Sequence, residues 1–244
     1  MNFADIHIHA LTGTDDGAED EQVMYRMVDM AYAEGTRLMC LTPHFHLGYF
    51  GDNRESSSQA FEKLCGYARE RYPDLELYLG NELRFSPDCG SWLREGLCRT
   101  LNRSELLLVD FSAGESARAI IRGLERLMNM GYRPMLAHAE RYWELSMSDL
   151  HELYTNGVYL QVNAGSLTGK FGWEAKLRAR NLIRRRLVTA VSSDAHNDRK
   201  RAPKMSRAYR TVCRLSAPEY AQKVFYHNAA RLLNNQEGLE TNNE

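Results

Sequence analysis

About seven times along its length, this chain sets a short apolar run beside a longer stretch whose apolar residues recur at helical spacing. Few folds satisfy such a rhythm. The runs that read as strands are Phe3–His9, Arg37–Thr42, Glu76–Glu82, Leu106–Asp110, Pro134–His138, Tyr159–Asn163 and Val188–Ser192. The helical pattern is clearest through Ala117, Ile120, Ile121, Leu124, Leu127 and Met128, which form one apolar stripe. Similar patterns cover about 20–34, 55–72, 146–156, 172–186 and 204–214, and Pro218 suits the first turn of a last helix. Parallel strands need long crossovers, which these helices supply, so the chain is expected to be α/β with helices covering a parallel sheet. Periodicity alone does not separate an open doubly wound sheet from a closed or distorted barrel. With no internal repeat and no low-complexity linker, residues 1–235 are expected to form one domain, with the polar stretch 236–244 as a frayed tail.

Composition narrows the function. No apolar run approaches the ~20 residues that span a bilayer. The opening MNFADIHIHA lacks the basic-then-apolar order of a secretory signal, so a cytoplasmic location is expected. A net charge of −1 argues against general nucleic-acid binding by phosphate neutralisation. The five cysteines, Cys40, Cys65, Cys89, Cys98 and Cys213, have neither zinc-ribbon nor disulfide-framework spacing, and free packing thiols are expected. Cys65 and Arg71 do match the C-x5-R spacing of cysteine-based phosphatases. That segment nevertheless reads as continuous helix, whose amides are engaged and unable to cradle phosphate.

The polar chemistry gathers where the strands end. His7 and His9, two apart in an extended chain, share a face. His44 follows the second strand, Glu82 and Asp110 end the third and fourth, His138 ends the fifth, and Asp194-Ala195-His196 follows the seventh. In parallel α/β folds sites assemble at that C-terminal edge. A single histidine there is most simply a hydrogen-bonded rim residue, but five of eight at strand ends, beside carboxylates, point to a cluster of divalent metals of the zinc, manganese or iron kind. Asp15 and Asp16 precede Gly17 and a helix start, where aspartate also serves as a cap; spacing does not decide which would be a ligand. Arg141 and Arg201 fall in loops after the fifth and seventh strands, and arginine forks beside metals suit a phosphate ester. The run Arg178, Arg180, Arg184, Arg185 and Arg186 reads as a solvated helix face, or as steering for an acidic partner.

In order, D-I-H-I-H, D-D-G, T-P-H, N-E-L, H-A-E-R, S-S-D-A-H-N and the closing H-N-A-A-R-L-L resemble the polymerase-and-histidinol-phosphatase (PHP) superfamily. Within it, the chain resembles the bacterial manganese-dependent protein-tyrosine phosphatases of capsule and exopolysaccharide operons, the CpsB/YwqE type. The resemblance covers nearly all 244 residues. It implies a distorted seven-stranded (β/α) TIM-like barrel with three metals at the C-terminal mouth. By position, the first metal would take His7, His9, Glu82 and Asp194. Glu82 would bridge to a second held by Asp110 and His138, and a third would take Asp16, His44 and His196. Arg141 and Arg201 would contact phosphate. The cofactors implied are two to three divalent ions, manganese first, with iron or zinc as alternatives. The implied substrate is the tyrosine-rich tail of a bacterial tyrosine kinase controlling polysaccharide export.

Two positions depart from the family pattern. Asp110 stands where glutamate is usual, one methylene shorter, so a second metal would be weaker, shifted or bridged by water. Phe45 stands where relatives often carry a polar residue. The competing expectations are a small-molecule phosphatase of the same superfamily, such as a histidinol-phosphate phosphatase, and a non-catalytic relic that has lost a metal.

Overall fold

The computed structural model describes residues 2–234; the expected tail 236–244 lies outside the described residues. Nine strands run β1 (Phe3–Ile8), β2 (Thr36–Leu41), β3 (His44–Phe45), β4 (Glu76–Leu79), β5 (Glu82–Arg84), β6 (Leu106–Asp110), β7 (Arg133–Leu136), β8 (Tyr159–Asn163) and β9 (Ala190–Ser192). The helices are α1 (Glu21–Glu34), α2 (Arg54–Arg71), α3 (Cys89–Arg94), α4 (Ala117–Asn129), α5 (Met147–Thr155), α6 (Ala164–Thr168), α7 (Trp173–Arg184), α8 (Ser206–Leu215), α9 (Pro218–Gln222) and α10 (Asn228–Leu233). Among the described residues, no helix is long and apolar enough to cross a membrane.

All strand pairs are parallel, in two sections ordered β1-β2-β4 and β3-β5-β6-β7-β8-β9. The result is an α/β fold around a curled parallel sheet in two sections. The stretch Glu76–Glu82, expected as one strand, breaks at Gly80-Asn81 into β4 and β5, and His44–Phe45 adds a short strand beyond β2. The breaks have a local cause. Pro43 has no amide hydrogen to give a ladder, and its carbonyl accepts instead from Glu82 N–H at 3.1 Å and from Asn81 Nδ2 at 3.0 Å. The outer strands β9 and β1 also approach each other. His9 N–H donates to Ala195 O at 2.8 Å, and Asp194 N–H to His7 O at 2.9 Å.

Strand alternation then sorts the chemistry. On β1, Ala4 and Ile6 pack with Leu38, Leu106, Leu108 and Met135 of neighbouring strands and with Leu232 and Leu233 of α10. Phe3, Asp5 and His7 share the opposite face, and His9 continues it just past the strand. Covering helices bury the stripes read from sequence: α4, capped by Ser116 accepting from Ala119 N–H, buries Ile120, Gly123, Leu124 and Leu127. The helix α2 runs unbroken through Cys65 and Arg71, so that C-x5-R segment forms no phosphate loop. All five cysteines are free.

Candidate metal centre

Two backbone choices aim side chains into the mouth of the sheet. His138 (φ 35°) and Asp194 (φ 50°) each adopt the left-handed conformation two residues past the end of a strand. Non-glycine residues seldom do so, and such strain concentrates at functional sites. The Asp15-Asp16-Gly17 turn is equally constrained. A Cβ on Gly17 would stand 2.1 Å from the His9 carbonyl oxygen, so only glycine lets this turn close over β1.

At the centre sits Glu82, fully buried. Its Oε2 lies 3.2 Å from His7 Nε2, 3.2 Å from His9 Nε2 and 2.8 Å from His44 Nδ1. Its Oε1 lies 3.0 Å from His138 Nε2. Asp194 Oδ1 is 3.6 Å from His7 Nε2, and Asp16 Oδ1 is 3.5 and 3.6 Å from the Nε2 atoms of His44 and His196. The structure therefore brings together His7, His9, Asp16, His44, Glu82, Asp110, His138, Asp194 and His196. Among the described residues, three sets of donor atoms close enough to hold an ion are His9–Asp16–His44–His196, His7–His9–Asp194 and His44–Glu82–Asp110. These differ from the sets implied by resemblance: His9 belongs to two, and His44 rather than His138 accompanies Glu82 and Asp110.

The protonation pattern tests whether these residues fit metal. Gln161 Oε1 accepts the His138 backbone N–H at 2.6 Å, which fixes the amide's orientation; His7 Nδ1, 3.1 Å from that oxygen, must then be the protonated nitrogen. His9 Nδ1 likewise donates to Asp15 Oδ2 at 2.7 Å, and His196 Nδ1 to the Asp194 carbonyl at 3.2 Å. A neutral imidazole with Nδ1 protonated carries its lone pair on Nε2. In that neutral form His7 and His9 present lone pairs to a carboxylate oxygen that has no proton to give, and His7 Nε2, His9 Nε2 and Glu82 Oε2 have no hydrogen-bond partner. Lone pair facing lone pair at 3.2 Å is repulsive unless positive charge lies between. The donor set fits divalent cations.

In the metal-free chain, protons on the imidazoles supply that positive charge. Burial would lower His7 and His9, yet Glu82 and Asp194 around the first, and Asp15 and Glu82 around the second, hold both above the ordinary imidazole value, His9 strongly. Burial would raise Glu82 and Asp194, but the surrounding imidazoles, joined at Asp194 by the Arg201 guanidinium, hold both carboxyls below their usual range. His196 moves the other way, down to about 2, through burial and the neighbouring His9.

Asp15 and Asp16, left undecided by spacing, separate here. Asp15 is saturated: Oδ2 accepts from His9 Nδ1 and from His44 N–H at 2.8 Å, and Oδ1 from Gly17 N–H at 3.0 Å. It orients His9. Asp16 keeps an open carboxylate toward His44 and His196. Asp110 is heavily engaged. Arg84 grips its Oδ2 through Nε at 3.0 Å and Nη2 at 2.7 Å, and Tyr142 O–H donates to Oδ1 at 2.9 Å, with His138 Nε2 3.8 Å from that oxygen.

Sequence reasoning missed Gln161 and Asn163. Both are fully buried on β8, a strand that offers no carboxylate or imidazole. Gln161 Nε2 donates to Asn163 Oδ1 at 2.9 Å, and Asn163 Nδ2 to Asp194 Oδ2 at 2.7 Å. Together with the His7–Gln161 bond, this amide chain couples His7 to Asp194. The available signal was the spacing, the same i, i+2 pair at a strand end as His7 and His9.

The cavity over the cluster measures about 510 Å³ and is lined by Arg84, Arg141 and Arg201 besides the cluster itself. Arg201 Nη2 reaches Asp194 Oδ1 at 2.8 Å, while its buried Nε has no partner. Arg141, half-exposed, stands 3.7 Å from Asp194 Oδ2.

The family model for capsular polysaccharide synthesis proteins, CpsB/CapC, matches residues 3–234. The chain belongs to the CpsB/CapC family. It is 31% identical over 239 residues to the tyrosine-protein phosphatase CpsB of Streptococcus pneumoniae, covering 95% of this chain and 98% of that one. It is 32% identical over 199 residues to the tyrosine-protein phosphatase YwqE of Bacillus subtilis, covering 79% and 77%. The fold is similar to a chain from the crystal structures of B. subtilis YwqE and S. pneumoniae CpsB, described as unique metal-dependent tyrosine phosphatases. That likeness has a TM-score of 0.88 and 29% identity, over 98% of this chain and 96% of that one. CpsB/CapC membership thus agrees with the resemblance carried by the strand-end motifs.

Proposed function

We propose that this CpsB/CapC-family chain is a metal-dependent phosphomonoester hydrolase that removes phosphate from phosphotyrosine in a protein. The observation that carries the proposal is the convergence of His7 Nε2, His9 Nε2 and His44 Nδ1 on one buried Glu82 oxygen, within 3.2 Å, a donor set that a cation can hold in place of protons. In this reading His7, His9, Asp16, His44, Glu82, Asp110, His138, Asp194 and His196 hold two to three divalent ions, manganese first and iron or zinc as alternatives. The two sheet sections are read as one distorted ring of seven strand lines within a single domain spanning 1–235. The names of the relatives support a phosphotyrosine substrate, and the family's link to capsule synthesis supports a cytoplasmic tyrosine kinase of polysaccharide export as its source.

Divalent ions at such a centre supply Lewis-acid stabilisation of phosphoryl oxygens and a nucleophile at neutral pH. The chain's own residues do the rest. Asp194 ties Nη2 of the Arg201 guanidinium, whose exposed part lines the cavity and would donate to a phosphate oxygen, and Arg141 approaches from the cavity rim. Asp15 and Gln161 keep the protons of His9 and His7 on Nδ1, away from the centre. A tyrosine phenolate, with a parent pKa of about 10, leaves without a strong proton donor.

The deciding assay measures manganese-dependent phosphate release from a phosphotyrosine peptide and from histidinol phosphate, with His138→Ala as control. Release from the peptide, absent without metal and abolished by the substitution, is expected. Cleavage of histidinol phosphate alone would reject the proposal.

A further inference from the structure

Four large apolar side chains are prominently exposed among the described residues: Tyr49, Trp143, Trp173 and Leu177. Trp173 and Leu177 lie on α7, and Trp143 follows Arg141 in the loop after β7. Trp143 lines the metal cavity and also a neighbouring groove of about 510 Å³, whose other walls are Met147, Glu174, Leu177, Arg178 and Asn181. The four α7 residues recur at i, i+3, i+4 and i+7, a single helix face. Ala175 of the same helix lines the metal cavity, so one helix and one indole join the two depressions. Between residues 170 and 184 there are five basic side chains against the single acid Glu174.

Exposed apolar surface beside a reaction centre marks recognition, and the excess of basic side chains along 170–184 favours an acidic partner. We infer that the Trp143–Met147–Leu177 groove docks an apolar side chain of an acidic, phosphotyrosine-bearing polypeptide while its phosphotyrosine occupies the metal cavity. This rests on the phosphatase reading above. An extended chain returns every second side chain to the same face, so a residue close to the phosphotyrosine meets the groove as the phosphate meets the arginines. Trp143 then serves both, as the shared wall between the aryl ring and its apolar neighbour. The enzyme reads protein substrate, not only aryl phosphate.

The test uses Leu177→Asp, since Leu177 lines no part of the metal cavity. Full-length, manganese-loaded protein is assayed on free phosphotyrosine and on an acidic phosphotyrosine peptide carrying leucine two residues away. The expected result is a rise of about tenfold in KM for the peptide, in line with losing the burial of one leucine, with turnover of free phosphotyrosine unchanged. Substituting serine for the peptide leucine should reproduce the loss in wild type. Binding of the same peptide with a non-hydrolysable phosphonate, titrated by tryptophan fluorescence, should weaken in parallel. Equal effects on both substrates, or none on the peptide, overturn the proposal. So does a shift from dimer to monomer caused by Leu177→Asp, which would assign the groove to a second copy of the chain. If neither substrate releases phosphate, the phosphatase reading fails, and the phosphonate titration still decides whether the groove binds the peptide.

Discussion

Arg84 holds Asp110 as a fork, with Nε and Nη2 both on Oδ2 at 3.0 and 2.7 Å. That carboxylate carries only one methylene, and its other oxygen accepts from Tyr142, so the residue at the second expected metal position is committed to protein partners before any ion arrives. An ion bound there must compete with a charge-assisted pair, the stronger kind of hydrogen bond.

Asp110→Glu should therefore strengthen metal binding at that position. The longer side chain reaches further toward Glu82 and His138, and about a tenfold gain in affinity for the weakest ion is expected. Titration with manganese, followed by metal counting on desalted protein, measures it. Unchanged stoichiometry and affinity would show that Asp110 serves only the Arg84–Tyr142 network.

Gln161→Leu should loosen the centre without removing a donor atom. His7 would lose the acceptor that keeps its proton on Nδ1, and Asn163 would lose its tie to His7. Loss of such an outer partner typically costs about 10–100-fold in metal affinity. Gln161→Glu, which still accepts from His7 and from the His138 amide, should recover part of it. Nitrogen NMR of the histidine rings reads the tautomer directly, and a His7 signal unmoved by Gln161→Leu would refute the assigned role.

Metal affinity should fall steeply with acidity. In the metal-free chain His7 and His9 are raised above 6.5, so their contribution to stability is fully present below 6.5 and is lost as pH rises through their folded values. Ions must displace those protons, so binding strengthens with pH from 6.5 upward and releases protons to the buffer. Asp15, lowered to about 2 chiefly by His9 and the His44 amide against the effect of burial, behaves oppositely: its contribution is present above 3.8 and is lost as pH falls through about 2. Calorimetry in buffers of different ionisation enthalpy counts the released protons; a count of zero at pH 7 contradicts the assignment.

Gly17→Ala should disable the centre through the backbone. The new methyl cannot coexist with the His9 carbonyl 2.1 Å away, and relieving that overlap moves Asp15 and Asp16 together. Overpacking of this kind costs about 1–3 kcal/mol. A lower melting temperature with weakened manganese binding is expected, and a variant with native affinity would show that the turn does not position the aspartates.

Much of this protein was legible one stretch at a time. Periodicity located the strand lines, their parallel sense and the helices α1, α2, α4, α5, α7 and α8, because side-chain alternation is a local property of the backbone. Strand ends carrying His7, His9, His44, Glu82, Asp110, His138, Asp194 and His196 could be read the same way, since in a parallel sheet all those ends lie along one edge. Spacing left Asp15 and Asp16 undecided and the family resemblance implied Asp16; the tertiary structure supplies the physical reason, because these adjacent residues differ in the partners around them. It alone enlisted Gln161 and Asn163, whose neutral amides look ordinary until His7 and Asp194 are placed at either end. The split of the sheet at Pro43 and Gly80-Asn81, Arg84's hold on Asp110, and the groove beside Trp143 also depend on contacts between distant segments. Sequence fixes what each residue offers as donor, acceptor or charge; which of those offers is taken depends on distances that only folding sets.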